Sequence, residues 1–88
     1  RPMAPYDLLI KPSVARDLRG IPEDHVHRIL ARIHALPEDP RPAGTEKLSG
    51  QERYRVRQAD YRAIYRIDDT QRLVEVVKVG HRRDVYRA

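Results

Sequence analysis

Apolar positions along the chain are spaced in two different ways. In the first half they recur at helical intervals; in the second half they alternate. The short run Tyr6-Asp7-Leu8-Leu9-Ile10-Lys11, bounded by Pro5 and Pro12, predicts a strand. Pro12-Ser13 opens a first helix with Val14, Leu18 and Ile21 on roughly one face, ended by Gly20. Pro22-Glu23-Asp24 starts a second, since Pro suits a first turn and carboxylates suit the positive end of the helix dipole. Val26, Ile29, Leu30, Ile33 and Leu36 then form one buried stripe, with Arg28 and Arg32 facing water. Pro37 stops this helix, and residues 37–44, with three Pro and a Gly, predict a loop.

From Arg53 the period is two. Arg53-Tyr54-Arg55-Val56-Arg57 alternates strictly, Gln58-Ala59-Asp60 has hairpin length, and Tyr61–Ile67 makes the next strand. Asp68-Asp69-Thr70-Gln71 is a polar turn. Arg72–Val79 is apolar on both faces, as a central strand is, and Gly80 is expected to close it. The tail His81–Ala88 reads as short, polar and basic. The order β-α-α-β-β-β predicts an α+β two-layer sandwich: an N-terminal strand, a helix hairpin covering one sheet face, and a three-stranded antiparallel meander. Residues 1–88 make one domain, with residues 1–5 a flexible lead-in and Met3, the sole Met, the expected native start.

Alternation also decides where charge points. If Tyr54 and Val56 face the helices, Arg53, Arg55 and Arg57 lie on the open face. The neighbouring strand then adds Arg62, Ile64 and Arg66 to that face, and turns Tyr61, Ala63, Tyr65 and Ile67 to the core. The tail is expected to bring His81, Arg82, Arg83, Tyr86 and Arg87 beside them. Composition agrees. The formal net charge is +5; residues 1–52 are neutral overall, whereas residues 53–88 carry 10 basic and 5 acidic groups. Fifteen of the 18 basic residues are Arg, the side chain suited to bidentate phosphate contacts. Such a face fits a phosphate-rich partner; it equally fits a solvated strand face on which Arg resists edge aggregation.

Other chemistry finds less support. No apolar run approaches the length of a membrane span, and Arg1-Pro2-Met3-Ala4-Pro5 has no apolar stretch after it, so neither a membrane segment nor a signal peptide is expected. With Cys absent there is no disulfide framework or thiolate nucleophile, and a reducing cytoplasm is the expected location. His25 and His27 point to different helix faces, and His27 and His34 lie about 10 Å apart along the axis, so no metal site is expected. Asp68-Asp69 lacks a partner at ligand spacing, Ser13 and Ser49 read as a helix start and a turn, and no glycine-rich nucleotide loop is present. Tyr54, Tyr61 and Tyr65 read as core or cross-strand residues rather than base-stacking platforms.

Five ordered blocks carry a family resemblance: Lys47-Leu48-Ser49-Gly50, Tyr54-Arg55-Val56-Arg57, Asp60-Tyr61-Arg62-Ala63-Ile64-Tyr65, Val79-Gly80-His81-Arg82 and Val85-Tyr86-Arg87. Together with the element order they resemble a RelE-type toxin of the RelE/ParE toxin-antitoxin superfamily over nearly the whole chain. The resemblance implies a ribosome-dependent endoribonuclease that cuts mRNA in the A site without metal or organic cofactor. The ribose 2′-OH attacks the adjacent phosphate, leaving a 2′,3′-cyclic phosphate and a 5′-OH. It also implies a RelB-like antitoxin partner, acidic in its toxin-binding segment, so that part of the basic face would serve that partner. Operator DNA would be contacted through the toxin-antitoxin complex.

Carried over by position, the family's paired basic residues fall on Arg55 and Arg57, its next basic residue on Arg62, the one after the final-strand Gly on Arg82, and the C-terminal aromatic on Tyr86. Lys47, Arg53, Arg66, Arg83 and Arg87 are the expected surrounding RNA contacts. Lysine commonly fills one or both paired positions; here both are Arg, which keeps its proton and is a poor general base. Proton transfer would then fall to His81, as general acid or base, and to Tyr86; alternatively His81 is a solvent-exposed tail residue. Arg62 would stabilise the pentavalent transition state, Arg55 and Arg57 would assist on flanking phosphates, and Arg82 would support the leaving oxygen. Two other readings compete: a ParE-like inhibitor of DNA gyrase without nuclease activity, and a relic that only binds antitoxin and operator DNA.

Overall fold

In the computed structural model, residues 5–48 and 52–85 are described. Ser49, Gly50, Tyr86 and Arg87, and most of the N-terminal lead-in, lie outside them. The elements are β1 (Asp7–Ile10), α1 (Pro12–Arg19), α2 (Glu23–Ala35), β2 (Glu46–Lys47), β3 (Arg53–Gln58), β4 (Tyr61–Asp68) and β5 (Leu73–His81). The α+β order is as expected, with β2 a short addition. Both helices are oriented by charge: α2 has Glu23 and Asp24 in its first turn, and α1 has Arg16 and Arg19 in its last. Gly20 follows α1 with φ −88°, so no left-handed cap is needed there.

The five strands form one sheet in the order β1-β5-β4-β3-β2. β1 runs parallel to β5, which the helix hairpin permits as a crossover; the other pairings are antiparallel. The helices cover one face. Val14 of α1, Ile29 and Ile33 of α2 and Leu36, the residue that caps α2, pack with Val56, Tyr65, Val74 and Val76 of the sheet. Tyr65 is fully buried, and its hydroxyl donates to the Pro40 carbonyl at 2.7 Å, so the core tyrosine keeps a partner and anchors the proline-rich loop. At the far end of the sheet Asp69 accepts from the Tyr6 hydroxyl (2.5 Å) and from Arg41 (2.9 Å), joining the start of β1, the loop and the β4–β5 turn.

Three expectations need correction. First, β5 does not stop at Gly80 but runs on to His81, paired with Tyr61. Gly80 pairs with Arg62, and a Cβ there would meet Val85 only at ordinary contact distance, 3.6 Å. Second, the face away from the helices is not fully open. Ile64, Val77 and Val85 are buried in a second small cluster with Leu48 packed against it. Alternation from Tyr65 and Val76 turns Ile64 and Val77 to this face; a bulge, at which both Val77 and Lys78 oppose the single Ile64, then brings Val79 back to the helix side. Val85, in the supposedly polar tail, folds back onto that cluster at 2% exposure. Third, the β3–β4 connection has two residues, Ala59 and Asp60, because Gln58 already pairs with Tyr61.

Ala59 sits at φ 54°, a conformation glycine adopts at lower cost than a residue with a Cβ. Ala59→Gly is expected to raise the unfolding free energy by about 0.5–1 kcal/mol, read as a shifted urea midpoint at unchanged slope.

Candidate functional site

The β3–β4 register builds the basic face. Arg57 stands opposite Arg62, Arg55 opposite Ile64 and Arg53 opposite Arg66, so all five arginines lie on the side away from the helices. Arg62 in turn stands opposite Gly80 of β5. Arg55, Arg57 and Arg62 thus collect toward the hairpin end of the sheet, while Arg53 and Arg66 form a second row nearer its other end. The facing like charges of that second row are relieved by Glu75, whose carboxylate lies 2.6 Å from Arg66 Nε.

The Ala59-Asp60 turn holds one of these arginines, Arg62, and also Arg82 from beyond β5. Arg62 Nη1 donates to the carbonyls of Ala59 (3.0 Å) and Tyr61 (2.9 Å), which folds the guanidinium back over the turn. Arg82 donates its backbone N–H to the Asp60 carbonyl at 2.7 Å, and its Nε lies 3.6 Å from the Asp60 carboxylate. One residue therefore fixes both the main chain and the charge of Arg82. Arg55 and Arg57 share Glu46 of β2, each with a 2.9 Å contact. The hydrogen bond from Arg55, followed by the charges of Arg55 and Arg57, holds the Glu46 carboxyl below its ordinary value of 4.5. Lys47 is drawn outward to Glu52 at 3.3 Å, and Arg83 is exposed in the turn after β5.

His81 is not on this face. Its strand partner is Tyr61, whose ring it meets edge-on at 5.7 Å, and Tyr61 in turn contacts His25 of α2 at 5.0 Å. The expectation that His81 joins the arginines fails because β5 continues through it: alternation from Gly80 turns its side chain toward the helix layer. It is not a solvated tail residue either. Its Nδ1 accepts the Arg83 N–H at 3.1 Å and its carbonyl accepts the N–H groups of Asp84 (2.9 Å) and Val85 (3.0 Å), so His81 organises the turn that carries Arg82. With Nδ1 accepting, a neutral imidazole carries its proton on Nε2.

Glu46 and Asp60 are the residues missed by reading the sequence for positive charge. The signals for Asp60 were its place in a hairpin turn and at the head of the block Asp60–Tyr65, neither of which marks it as a partner of Arg82. Glu46 had none, since its role depends on the two-residue strand β2. A cavity of about 440 Å³ opens on the other side of β5, between α1 and the turn after His81, lined among others by Asp17, Tyr61, Lys78 and Asp84. Asp17 there accepts the Val79 N–H at 3.1 Å, capping a strand edge that β1 does not reach.

The family described as "ParE toxin of type II toxin-antitoxin system, parDE" matches residues 8–86. The chain is 33% identical to Toxin RelG of Mycobacterium tuberculosis over 94% of its own length and 98% of that protein. Its fold is similar to the toxin in the archaeal RelE-RelB complex of Pyrococcus horikoshii (TM-score 0.77, 29% identity, covering 94% of this chain and 98% of that one). A comparable likeness holds for the RelBE2 toxin-antitoxin complex of M. tuberculosis (TM-score 0.75, 25% identity, 88% and 98% covered). The protein belongs to the RelE/ParE family of toxins of type II toxin-antitoxin systems. Among the described residues no helix is long and apolar enough to cross a membrane.

Because Glu46 is held ionised by its arginines, its stabilising contribution is complete above pH 4.5 and is lost as pH falls through the lowered value. Carboxyl NMR titration is expected to place Glu46 below 4.5, and Arg55→Ala to return it toward that value.

Proposed function

We propose that this toxin is a metal-independent, ribosome-dependent endoribonuclease that cuts mRNA in the A site and so stops translation in the cytoplasm. The observation that carries this reading is the grouping of Arg55, Arg57 and Arg62 at one end of a sheet face, with Arg82 tied to the same turn. Four fixed cations suit a reaction whose charge develops on phosphorus-bound oxygens. The ribose 2′-oxygen attacks phosphorus and gives up its proton. The bond from phosphorus to the 5′-oxygen breaks, and that oxygen takes a proton, leaving a 2′,3′-cyclic phosphate and a 5′-OH.

In this scheme Arg62, steadied by two carbonyls, faces the pentavalent phosphorus. Arg55 and Arg57 bind the adjoining phosphates, and Arg82 supports the leaving oxygen. Tyr86 supplies a base contact and a route for protons; Arg53, Lys47, Arg66, Arg83 and Arg87 extend the track for RNA. His81 acts as a positioning residue, through the turn that carries Arg82, rather than as the general acid or base. A RelB-like antitoxin, the partner seen with the toxins of P. horikoshii and M. tuberculosis, would cover the basic face, and operator DNA would be bound by the resulting complex.

The match to a family described by ParE favours a second reading, in which the same face inhibits DNA gyrase without cutting nucleic acid. Primer extension on ribosome-bound mRNA, beside a gyrase supercoiling assay, separates the two. Growth arrest on expression without antitoxin is expected, and its absence would make the chain a relic.

Arg62→Ala is expected to lower cleavage by about 10²-fold or more; a fully active variant would remove Arg62 from the site. His81→Ala should reduce cleavage about tenfold, whereas His81→Asn, which keeps an acceptor near the Nδ1 position, should stay within a few-fold with an unchanged pH profile. Equal losses of ~10²–10⁴-fold in both variants would restore His81 to proton transfer.

A further inference from the structure

We propose that Glu46 is a positioning residue that sets which RNA the basic face accepts: its carboxylate occupies Arg55 and Arg57 as a phosphate would, and yields them only to a phosphate already held in place. The substrate class, RNA, rests on the endoribonuclease reading; the role of Glu46 rests on the geometry. A single oxygen, Oε1, takes Arg55 Nε at 2.9 Å, Arg55 Nη2 at 2.9 Å and Arg57 Nη2 at 2.9 Å. Convergence of two guanidiniums on one anionic oxygen is the arrangement by which arginines bind a phosphate oxygen.

Glu46 is placed there by the backbone, since β2 pairs Glu46 with Arg55 and Lys47 with Tyr54, and the Leu48 N–H donates to the Arg53 carbonyl at 2.8 Å. The side chain of Glu46 is 44% exposed and that of Arg57 56%, so an incoming anion can reach the pair without unfolding the sheet. The same two arginines keep the carboxyl ionised through the neutral range, so Glu46 competes with phosphate at every working pH.

Competition of this kind discriminates by rigidity. A flexible single strand must replace the Glu46 contacts while also losing its own conformational freedom. An RNA immobilised by a larger assembly has already lost that freedom, and the same exchange then favours binding. The internal carboxylate therefore works against free RNA more than against RNA presented in a fixed path.

The test is fluorescence anisotropy with a fully 2′-O-methylated oligoribonucleotide, which cannot be cleaved, titrated across KCl concentrations. Glu46→Gln keeps the shape and removes the charge. It is expected to bind roughly three- to tenfold tighter, with a salt slope steeper by about 0.7 for each further phosphate engaged. The gain should vanish when Glu46→Gln is combined with Arg55→Ala and Arg57→Ala. Unchanged affinity, or a gain that persists without the two arginines, overturns the proposal. So does weaker binding with a lowered melting temperature, which would make Glu46 a scaffold residue of β2. Cleavage of ribosome-bound mRNA by the unaltered protein, run in parallel, reads the nuclease assignment alone; its failure leaves the binding result standing.

Discussion

The two-residue turn Ala59-Asp60 sets the register of β3 against β4, and that register decides where every arginine of the hairpin points. Side chains in paired strands alternate with a period of two, so a slip by one residue would exchange the buried and basic faces. Slippage of β4 would drive Tyr65 out of the helix-side core and Arg62 and Arg66 into it; slippage of β3 would do the same to Val56 and its arginines. Burial of the apolar set against the helices and assembly of the cationic set on the other side are therefore one constraint, enforced at one turn. The same turn supplies the carbonyls that steady Arg62 and the groups that hold Arg82. Stability of the hairpin and preorganisation of the site are thus not separable.

Most of this was legible in the chain because it rests on local periodicity. The strict alternation Arg53–Arg57 and the 3,1,3,3 spacing from Val26 to Leu36 each specify a face without knowledge of the rest of the fold. What escaped depended on contacts between distant segments. The bulge opposite Ile64 brings Val79 rather than Lys78 to the helix side, and nothing in the local sequence marks it. The burial of Val85 depends on Ile64 and Val77, since a cluster must exist before a tail residue can fold onto it. The position of His81 turned on one glycine: Gly80 reads as a strand end, yet in the sheet it is only a position where Val85 lies close above the strand. Asp69 reads only as part of a polar turn and Glu46 carries no local signal, because the partners of both lie on other elements.

Electrostatics shows a similar difference between composition and arrangement. The excess of positive charge in the second half describes the chain, but the folded face is interlaced with carboxylates: Glu46 between Arg55 and Arg57, Glu75 beside Arg66, Asp60 beside Arg82. These exposed pairs are individually weak. Their effect is to hold long side chains in defined orientations while leaving the face net cationic, which suits contact with an ordered array of phosphates better than a diffuse coat of charge would.

The parallel pairing of β1 with β5 joins the two ends of the described chain. The hairpins β3–β4 and β4–β5 can form from neighbouring segments, whereas β1 has no strand partner until β5 exists, and closing so long a loop is slow. A chain emerging in order from its own synthesis would therefore hold β1 and the helices without a finished sheet until Leu73–His81 had been made. The last strand also carries the main chain into Arg82. Assembly of the sheet and completion of the cationic site then coincide, so that a nascent, partly made molecule lacks both at once.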